Sequence, residues 1–337
     1  MINYVRARAP LRIGIAGGGT DVDPYASEKG GCVFNTTINK YAYCTITPRN
    51  DTTITIKSSY YGMYESSLDG GPLKFDGNMD LIKAVTNHFK PEKGFDMYIE
   101  SDVPAGSGLG GSSTMMVAVI SAVSTLLSVS LTSAEIAALA YKLERVDVGL
   151  SGGKQDQYAA AYGGFNLLKF NEGGVDVVPV KLDQDIVNEL QYRSVLCFTG
   201  SPRESAKIID NQIESFKKGS NEKALDETKR LAQEICDALK SRDIDKTGRL
   251  LDESWTYKKQ FSDKVSNDSI NRFYDTAMKN GAIGGKVSGA GGGGFMYYIC
   301  EYDKKPDVAN ALKDAGAEVT EFMFDPNGVS AWRGKHE

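Results

Sequence analysis

A run of glycines and serines, Pro104-Ala-Gly-Ser-Gly-Leu-Gly-Gly-Ser-Ser-Thr114, stands between two segments of opposite character. Ahead of it, Phe95, Met97 and Ile99 alternate with Asp96, Tyr98 and Glu100, the period of a half-buried strand. Behind it, residues 115–129 form a long apolar stretch that reads as a buried helix. A flexible loop therefore has to convert a strand into a helix. Gly106, Gly108, Gly110 and Gly111 permit backbone angles closed to other residues and let a ligand approach the main chain. The unbonded N–H groups of the helix start favour an anion there. The chemistry predicted is phosphate binding.

Three nucleotide loops answer to that description. A P-loop requires Lys followed by Ser or Thr after its last glycine, whereas Gly111 is followed by Ser112 and the loop holds no basic residue, so this reading fails. Gly106-x-Gly108-x-x-Gly111 satisfies the dinucleotide fingerprint, which also needs a second strand ending in Asp or Glu about 20 residues on. Two consecutive helical segments stand there instead, and a dinucleotide-dependent oxidoreductase is kept as the alternative of another class. The third reading is a loop with hydroxyls in place of the lysine, Ser112 or Ser113 being available to a magnesium ion. Four glycines and three serines at one strand-to-helix junction weigh against a turn that merely packs tightly.

The remaining composition narrows the partners. With a net charge of -5 and a pI near 5.4, the chain is expected to bind neither nucleic acid nor a membrane surface, and small-molecule chemistry is favoured. Residues 1–6 lack the apolar core of a signal peptide, and no apolar run is long enough to span a bilayer. The five cysteines, scattered and without a CxxC pair, predict buried thiols in a reducing cytoplasm. The only histidines are His88 and His336, which argues against Ser-His-Asp and Cys-His hydrolases and against a His-ligated metal. An acid or base is expected to be a carboxylate.

Three charged residues stand out. Arg12 interrupts an apolar strand (Leu11, Ile13, Ile15) just before Gly17-Gly-Gly-Thr-Asp21, which suggests a site cation. Residues 132–147 read as a helix opened by a Thr132-x-x-Glu135 capping box, with Glu144 on the flank of its apolar face. Asp156 falls in the first turn of a short alanine-rich helix behind Ser151-Gly-Gly-Lys154, where the helix dipole and Lys154 favour its ionised form. Strands are expected at 33–48 and 52–57, a loop at 58–71 whose Tyr60, Tyr61 and Tyr64 suit a flat ring, and a helix at 78–89. The polar segment 181–191 is taken as a boundary dividing residues 1–185 from 186–337. The second part reads as helices at 204–218, 221–242, 244–255 and 269–280. They lead to a further glycine loop at 284–294, a strand at 295–300, a helix at 306–314 and a last strand at 318–324.

Ala9-Pro-Leu-Arg-Ile-Gly-Ile-Ala-Gly-Gly-Gly-Thr-Asp21, the loop 104–114 and Lys286-Val-Ser-Gly-Ala-Gly-Gly-Gly-Gly294 resemble, in that order, the three motifs of the GHMP kinases, the family of galactokinase, homoserine kinase and mevalonate kinase. The resemblance implies an α+β, two-domain fold, its N-terminal part like domain 2 of ribosomal protein S5 and its C-terminal half a ferredoxin-like α/β unit. It implies that Pro104, Gly106, Ser107, Gly108, Leu109, Gly110, Gly111, Ser112 and Ser113 wrap the phosphates of ATP. Ser112 and Glu144 would then hold Mg2+, with Ser113 hard to distinguish from Ser112 because the motif carries one extra glycine. Asp156 becomes the catalytic carboxylate and Arg12 the cation beside the acceptor hydroxyl. Asp21 would bind sugar hydroxyls, with Gly18, Gly19 and Thr20 of the first motif and Gly289 and Gly291 of the third on the substrate side. Gly18 and Gly19 stand where galactokinase has Glu-His, which removes two galactose contacts and opens space. This form of the first motif, with Thr199-Gly-x-x-Arg203, is most similar to sugar 1-kinases acting on a heptose 7-phosphate, and next to L-fucose kinase. The implied reaction is phosphorylation of an anomeric hydroxyl. Arg203 is the expected partner of the sugar phosphate, with Lys83 and Lys286 as further candidates. A kinase for an unphosphorylated sugar and a non-catalytic sugar-binding regulator stay open.

Overall fold

The computed structural model describes residues 4–60, 62–200 and 205–335. An eight-stranded sheet is built on two long neighbours, β1 (Tyr4–Ala16) and β2 (Gly31–Pro48). The short helix α1 (Tyr25–Lys29) lies between them in the chain. Beyond β2 come β3 (Thr53–Ser58) and β4 (Gly62–Ser67), helix α2 (Asp80–Phe89) and β5 (Phe95–Ser101). The strand order is β5-β3-β4 outward from β2. The expected loop at 58–71 is therefore in part a hairpin. Gly-Met-Tyr-Glu-Ser-Ser carries no β-branched residue, and pairing with β3 overrides that weak propensity.

The strand-to-helix passage is as the alternation requires. Phe95, Met97 and Ile99 are buried while Asp96, Tyr98 and Glu100 face solvent, and helix α3 (Gly111–Leu126) follows the glycine loop. It lies in the core between the sheet and α2, with Met116, Val117, Val119, Ile120 and Val123 buried against Val5, Ile46 and Phe95. A helix apolar on every side is stable only in such a place. After it come α4 (Ser133–Tyr141), a π turn over Lys142–Asp147, α5 (Gln155–Tyr162), and the strands β6 (Phe165–Asn171) and β7 (Gly174–Pro179). No strand follows α3 directly, so the βαβ unit of a dinucleotide fold is not formed.

The polar segment after β7 holds α6 (Gln184–Arg193), which buries Ile186 and Leu190, four residues apart on one face. Then come β8 (Ser194–Phe198), the helices α7 (Ser205–Lys217), α8 (Glu222–Lys240), α9 (Ile244–Lys258) and α10 (Asp268–Lys279), the strands β9 (Ala282–Val287) and β10 (Phe295–Cys300), helix α11 (Lys305–Asp314) and β11 (Glu318–Val319). The second sheet is antiparallel in the order β11-β8-β10-β9, the split βαβ arrangement of a ferredoxin-like unit. Every residue of β10 is buried. Phe295, Tyr297 and Ile299 pack toward β1 and α8, and Met296, Tyr298 and Cys300 toward α10 and α11. Period-two alternation thus puts one face of this sheet against the first half of the chain.

Of the expected strand at 318–324 only Glu318–Val319 pairs as a strand, and Phe324 makes one bridge to Ile38. The chain then returns to the first sheet as β12 (Ser330–Gly334) beside β1. All five cysteines are free and buried; burial raises the Cys32 thiol to about 11. Among the described residues no helix is long and apolar enough to cross a membrane.

Candidate active site

The site begins with an irregularity in β1. Pro10 has no N–H, and the register against β2 shifts between Pro10 and Arg12. The Arg12 amide leaves the ladder and donates to the Leu109 carbonyl at 3.1 Å. Leu109 is buried in the core and so pins the middle of the glycine loop. The Arg12 guanidinium, 3% exposed, donates from Nη1 to the Gly108 carbonyl at 2.6 Å. Its Nε and Nη2 both reach Oδ1 of Asp156, at 2.8 and 2.7 Å. Oδ2 of Asp156 has no hydrogen bond to another described residue. One arginine therefore joins the strand, the loop and the carboxylate.

In the loop, Gly106, Gly108 and Gly110 have φ of 74°, 83° and 81°, the left-handed region that glycine alone enters freely. A Cβ on Gly110 would stand 3.1 Å from Asp156 Cγ. Ser107 is buried, and its carbonyl accepts the Phe295 amide at 2.8 Å. At the start of α3, Ser112 and Ser113 donate to Glu144, at 3.1 Å to Oε1 and 2.7 Å to Oε2. Gln157 donates to the same Oε2 at 2.7 Å. Glu144, 1% exposed, is thus held by neutral donors, with Arg145 Nη1 3.4 Å away.

The first motif supplies the opposite wall. Asp21, 2% exposed, accepts from the amides of Gly19 and Gln155 at 3.0 and 3.1 Å and from Gln155 Nε2 at 3.2 Å. Gly153 must be glycine because a Cβ would overlap Asp21 Oδ2. Thr20 turns inward and bonds the Gly17 and Cys32 carbonyls, closing the turn rather than lining the cavity. Gly18 presents its carbonyl to Lys258 Nζ at 3.0 Å. In the third motif Gly289 lines the cavity, while Gly291 is packed on Val265 and does not. Arg203 lies outside the described residues, as does Tyr61.

These parts enclose a polar cavity of about 230 Å³, onto which Arg12, Asp21, Glu144 and Asp156 all open. Beside it lies a more apolar cavity of about 390 Å³, with Tyr60, Met79, Pro104 and Met115 in its walls. The two meet at Gly106, Gly111, Ser112 and Leu150. Neither other lysine candidate opens onto the polar cavity. Lys83 is taken by Asp76 at 2.5 Å and Asp80 at 3.4 Å, beneath the Tyr64 ring. Lys286 donates to the Gly14 carbonyl at 3.0 Å; burial first, then Lys258 and Arg12, drives its amine well below the usual lysine range. Arg145, Lys258, Gln212 and Gln155 also line the polar cavity, and none was singled out from the sequence. Gln155 and Gln157 flank Asp156 and were open to view. Lys258 and Gln212 lie on amphipathic helices where a polar residue carries no signal.

A cavity at a helix start, beside a hydroxyl–carboxylate pair and an arginine-clamped aspartate, has the parts that phosphoryl transfer asks of a protein. The models of the GHMP kinase N-terminal and C-terminal domains match residues 79–164 and 235–318. The chain belongs to the GHMP kinase family and is an enzyme of that class, with ATP as co-substrate. It is 41% identical to a D-glycero-alpha-D-manno-heptose 7-phosphate kinase of Campylobacter jejuni, over 98% of this chain and 99% of the relative. A solved D-glycero-D-manno-heptose 1-phosphate kinase from Bacteroides thetaiotaomicron superposes with a TM-score of 0.82 at 39% identity, covering 98% of this chain and all of that one. A bifunctional fucokinase/GDP-fucose pyrophosphorylase of Arabidopsis thaliana is more distant, 25% identical over 94% of this chain and 31% of its own length.

Proposed function

We propose that the chain transfers the γ-phosphoryl group of ATP to the anomeric hydroxyl of D-glycero-D-manno-heptose 7-phosphate, giving the 1,7-bisphosphate and ADP. The observation that carries the reaction is Asp156, bound on Oδ1 by Arg12 with Oδ2 left over, at the edge of a glycine loop that opens a helix. Asp156 Oδ2 orients the acceptor hydroxyl and takes its proton as the oxygen bonds to phosphorus and the bond to the β,γ-bridging oxygen breaks. Such a contribution is typically worth about 10²- to 10⁴-fold. Arg12 holds Asp156 in place through two contacts to Oδ1. The loop amides and the start of α3 receive the phosphates, and the apolar cavity past Pro104 suits the adenine.

Ser112, with Ser113 as the alternative, and Glu144 are the residues that would hold Mg2+. Among the described residues no three His, Cys, Asp or Glu cluster as a complete metal cage. One carboxylate and one hydroxyl are what magnesium asks of a protein when nucleotide oxygens and water fill the remaining positions. Bound there, the ion neutralises charge on the phosphates.

On the sugar side we assign Asp21, whose oxygens already accept from two main-chain amides and one side-chain amide, and the space left by Gly18 and Gly19. Gly289 and Gly291 belong to the loop behind it. Arg203 is our choice for the 7-phosphate, since Ala206 and Ile209 of α7 line the cavity only a few residues on. We keep the division into residues 1–185 and 186–337, with acceptor and nucleotide between them, and place the reaction in the cytoplasm, in keeping with five free thiols.

The named relatives differ over which position already bears phosphate, and that difference gives the test. ATP consumption is measured with heptose 7-phosphate, heptose 1-phosphate, unphosphorylated heptose and L-fucose, and the product is examined by 31P NMR. Heptose 7-phosphate is expected to be preferred by at least about tenfold, the scale of one charge-assisted contact, with a new phosphate on C1. Equal use of the unphosphorylated sugar would sink the 7-phosphate assignment.

A further inference from the structure

Among the described residues two arginines face the polar cavity, and they are held very differently. Arg12 makes its bonds at 2.6 to 2.8 Å to Gly108 and Asp156. Arg145 reaches Glu144 Oε1, Ser113 Oγ and the carbonyls of Leu150 and Ser151 only at 3.3 to 3.4 Å, the outer limit of a hydrogen bond. Its Nε is buried and has no hydrogen-bond partner among the described residues. A fork of five donors that forms no short bond, in a side chain only 13% exposed, is set for an acceptor other than its present neighbours.

The backbone supports its position. Residues 142–147 form a π turn, and Glu144 and Arg145, neighbours in the chain, both line the cavity. Single π turns of this kind recur at functional sites. Gly152 is bare beside the guanidinium: a Cβ there would overlap Arg145 Cζ. The glycine loop itself brings no cation, and Arg12 is engaged by Asp156.

We propose that Arg145 is a phosphoryl-contacting residue, its guanidinium passing from these long contacts to the terminal phosphate oxygens of ATP and staying with them as the group moves to the acceptor. This rests on the phosphotransfer reading of the same cavity, though not on the identity of the sugar. A guanidinium fork matches phosphoryl oxygens and compensates charge where it accumulates in transfer.

The test compares Arg145→Met and Arg145→Lys with the parent protein. Calorimetry gives the affinities for ATP and ADP with magnesium, and turnover is followed with whichever sugar phosphate the parent uses. Arg145→Met is expected to weaken ATP about tenfold, leave ADP within about twofold and lower kcat about 10³-fold, with the melting midpoint nearly unchanged. Arg145→Lys, keeping the charge without the fork, should recover part of the loss and carries the comparison should the methionine variant not fold. Equal weakening of ATP and ADP, or turnover within about threefold of the parent, would overturn the proposal, since a merely structural arginine does not sense the third phosphate. Refusal of heptose 7-phosphate by the parent, with ATP alone weakened by the variant, would instead overturn the substrate and support Arg145.

Discussion

In the loop ahead of α3, a side chain added at Gly111 would meet nothing within 4 Å, whereas in the loop between β9 and β10 one at Gly291 would stand 2.6 Å from the Val265 carbonyl oxygen. Gly292 of the second loop is equally confined by Ile208, and a Cβ at Gly294 would overlap the Ser107 carbonyl oxygen. At Gly111 the first loop is thus open, whereas the glycines of the second serve largely to leave room for protein. Their junction explains the division of labour. Phe295 donates to Ser107 at 2.8 Å, so the second loop braces the first from behind while the front stays open. A count of glycines does not separate these uses.

The largest effect is expected on the open side. Asp156→Asn keeps the shape and removes the charge that Arg12 holds, and turnover should fall about 10³-fold while the affinity for ATP stays within about threefold. Transfer assays and calorimetry on one preparation separate the two quantities. Near-normal turnover would mean that the open loop serves binding alone.

The braced side should answer in stability. Gly294 has a φ of 84° and no room for a methyl group, so Gly294→Ala is expected to cost about 3 kcal/mol in urea unfolding. Gly111→Ala is the counterpart. It lies at the start of α3, outside the left-handed region, and alanine is the better helix former. Stability should therefore be unchanged or slightly raised while ATP binds about tenfold more weakly, the methyl group occupying the phosphate approach. The opposite pattern in this pair would invert the comparison.

The same contrast marks what could be read before any coordinates. The open loop was legible because a strand period, a glycine run and an apolar helix met at one point, and Glu144 and Asp156 followed from the family motifs. Arg12 was visible as a charge inside an apolar strand. What was hidden is long-range. Lys258 ends α9 with a basic residue, as many helices do, yet its ammonium meets Gly18, 240 residues away in the chain. Strand β12 exists because β1 offers an edge, and nothing in Ser-Ala-Trp-Arg-Gly announces it. The inward turn of Thr20 and the capture of Lys286 by Gly14 depend on neighbours that local pattern does not specify.

The smallest expected effect tests how far the second loop enters the chemistry. Its hydrogen bond to Arg12 passes through Ser288, whose Oγ accepts from Arg12 Nη1 at 3.3 Å and from the Gly14 amide at 3.4 Å. Both bonds are long, and Arg12 has shorter ones to Gly108 and Asp156 that fix its plane without help. Ser288→Ala removes the hydroxyl from a fully buried position while the Ser288 amide still donates to Phe295, so the loop should keep its path. The loss in stability should be about 1 to 2 kcal/mol, the scale of the two long buried hydrogen bonds removed. Turnover should drop about threefold or less, with the affinity for ATP unchanged. A fall beyond about 100-fold would show that Arg12 depends on Ser288 for its aim, and the second loop would then belong to the catalytic apparatus rather than to its support.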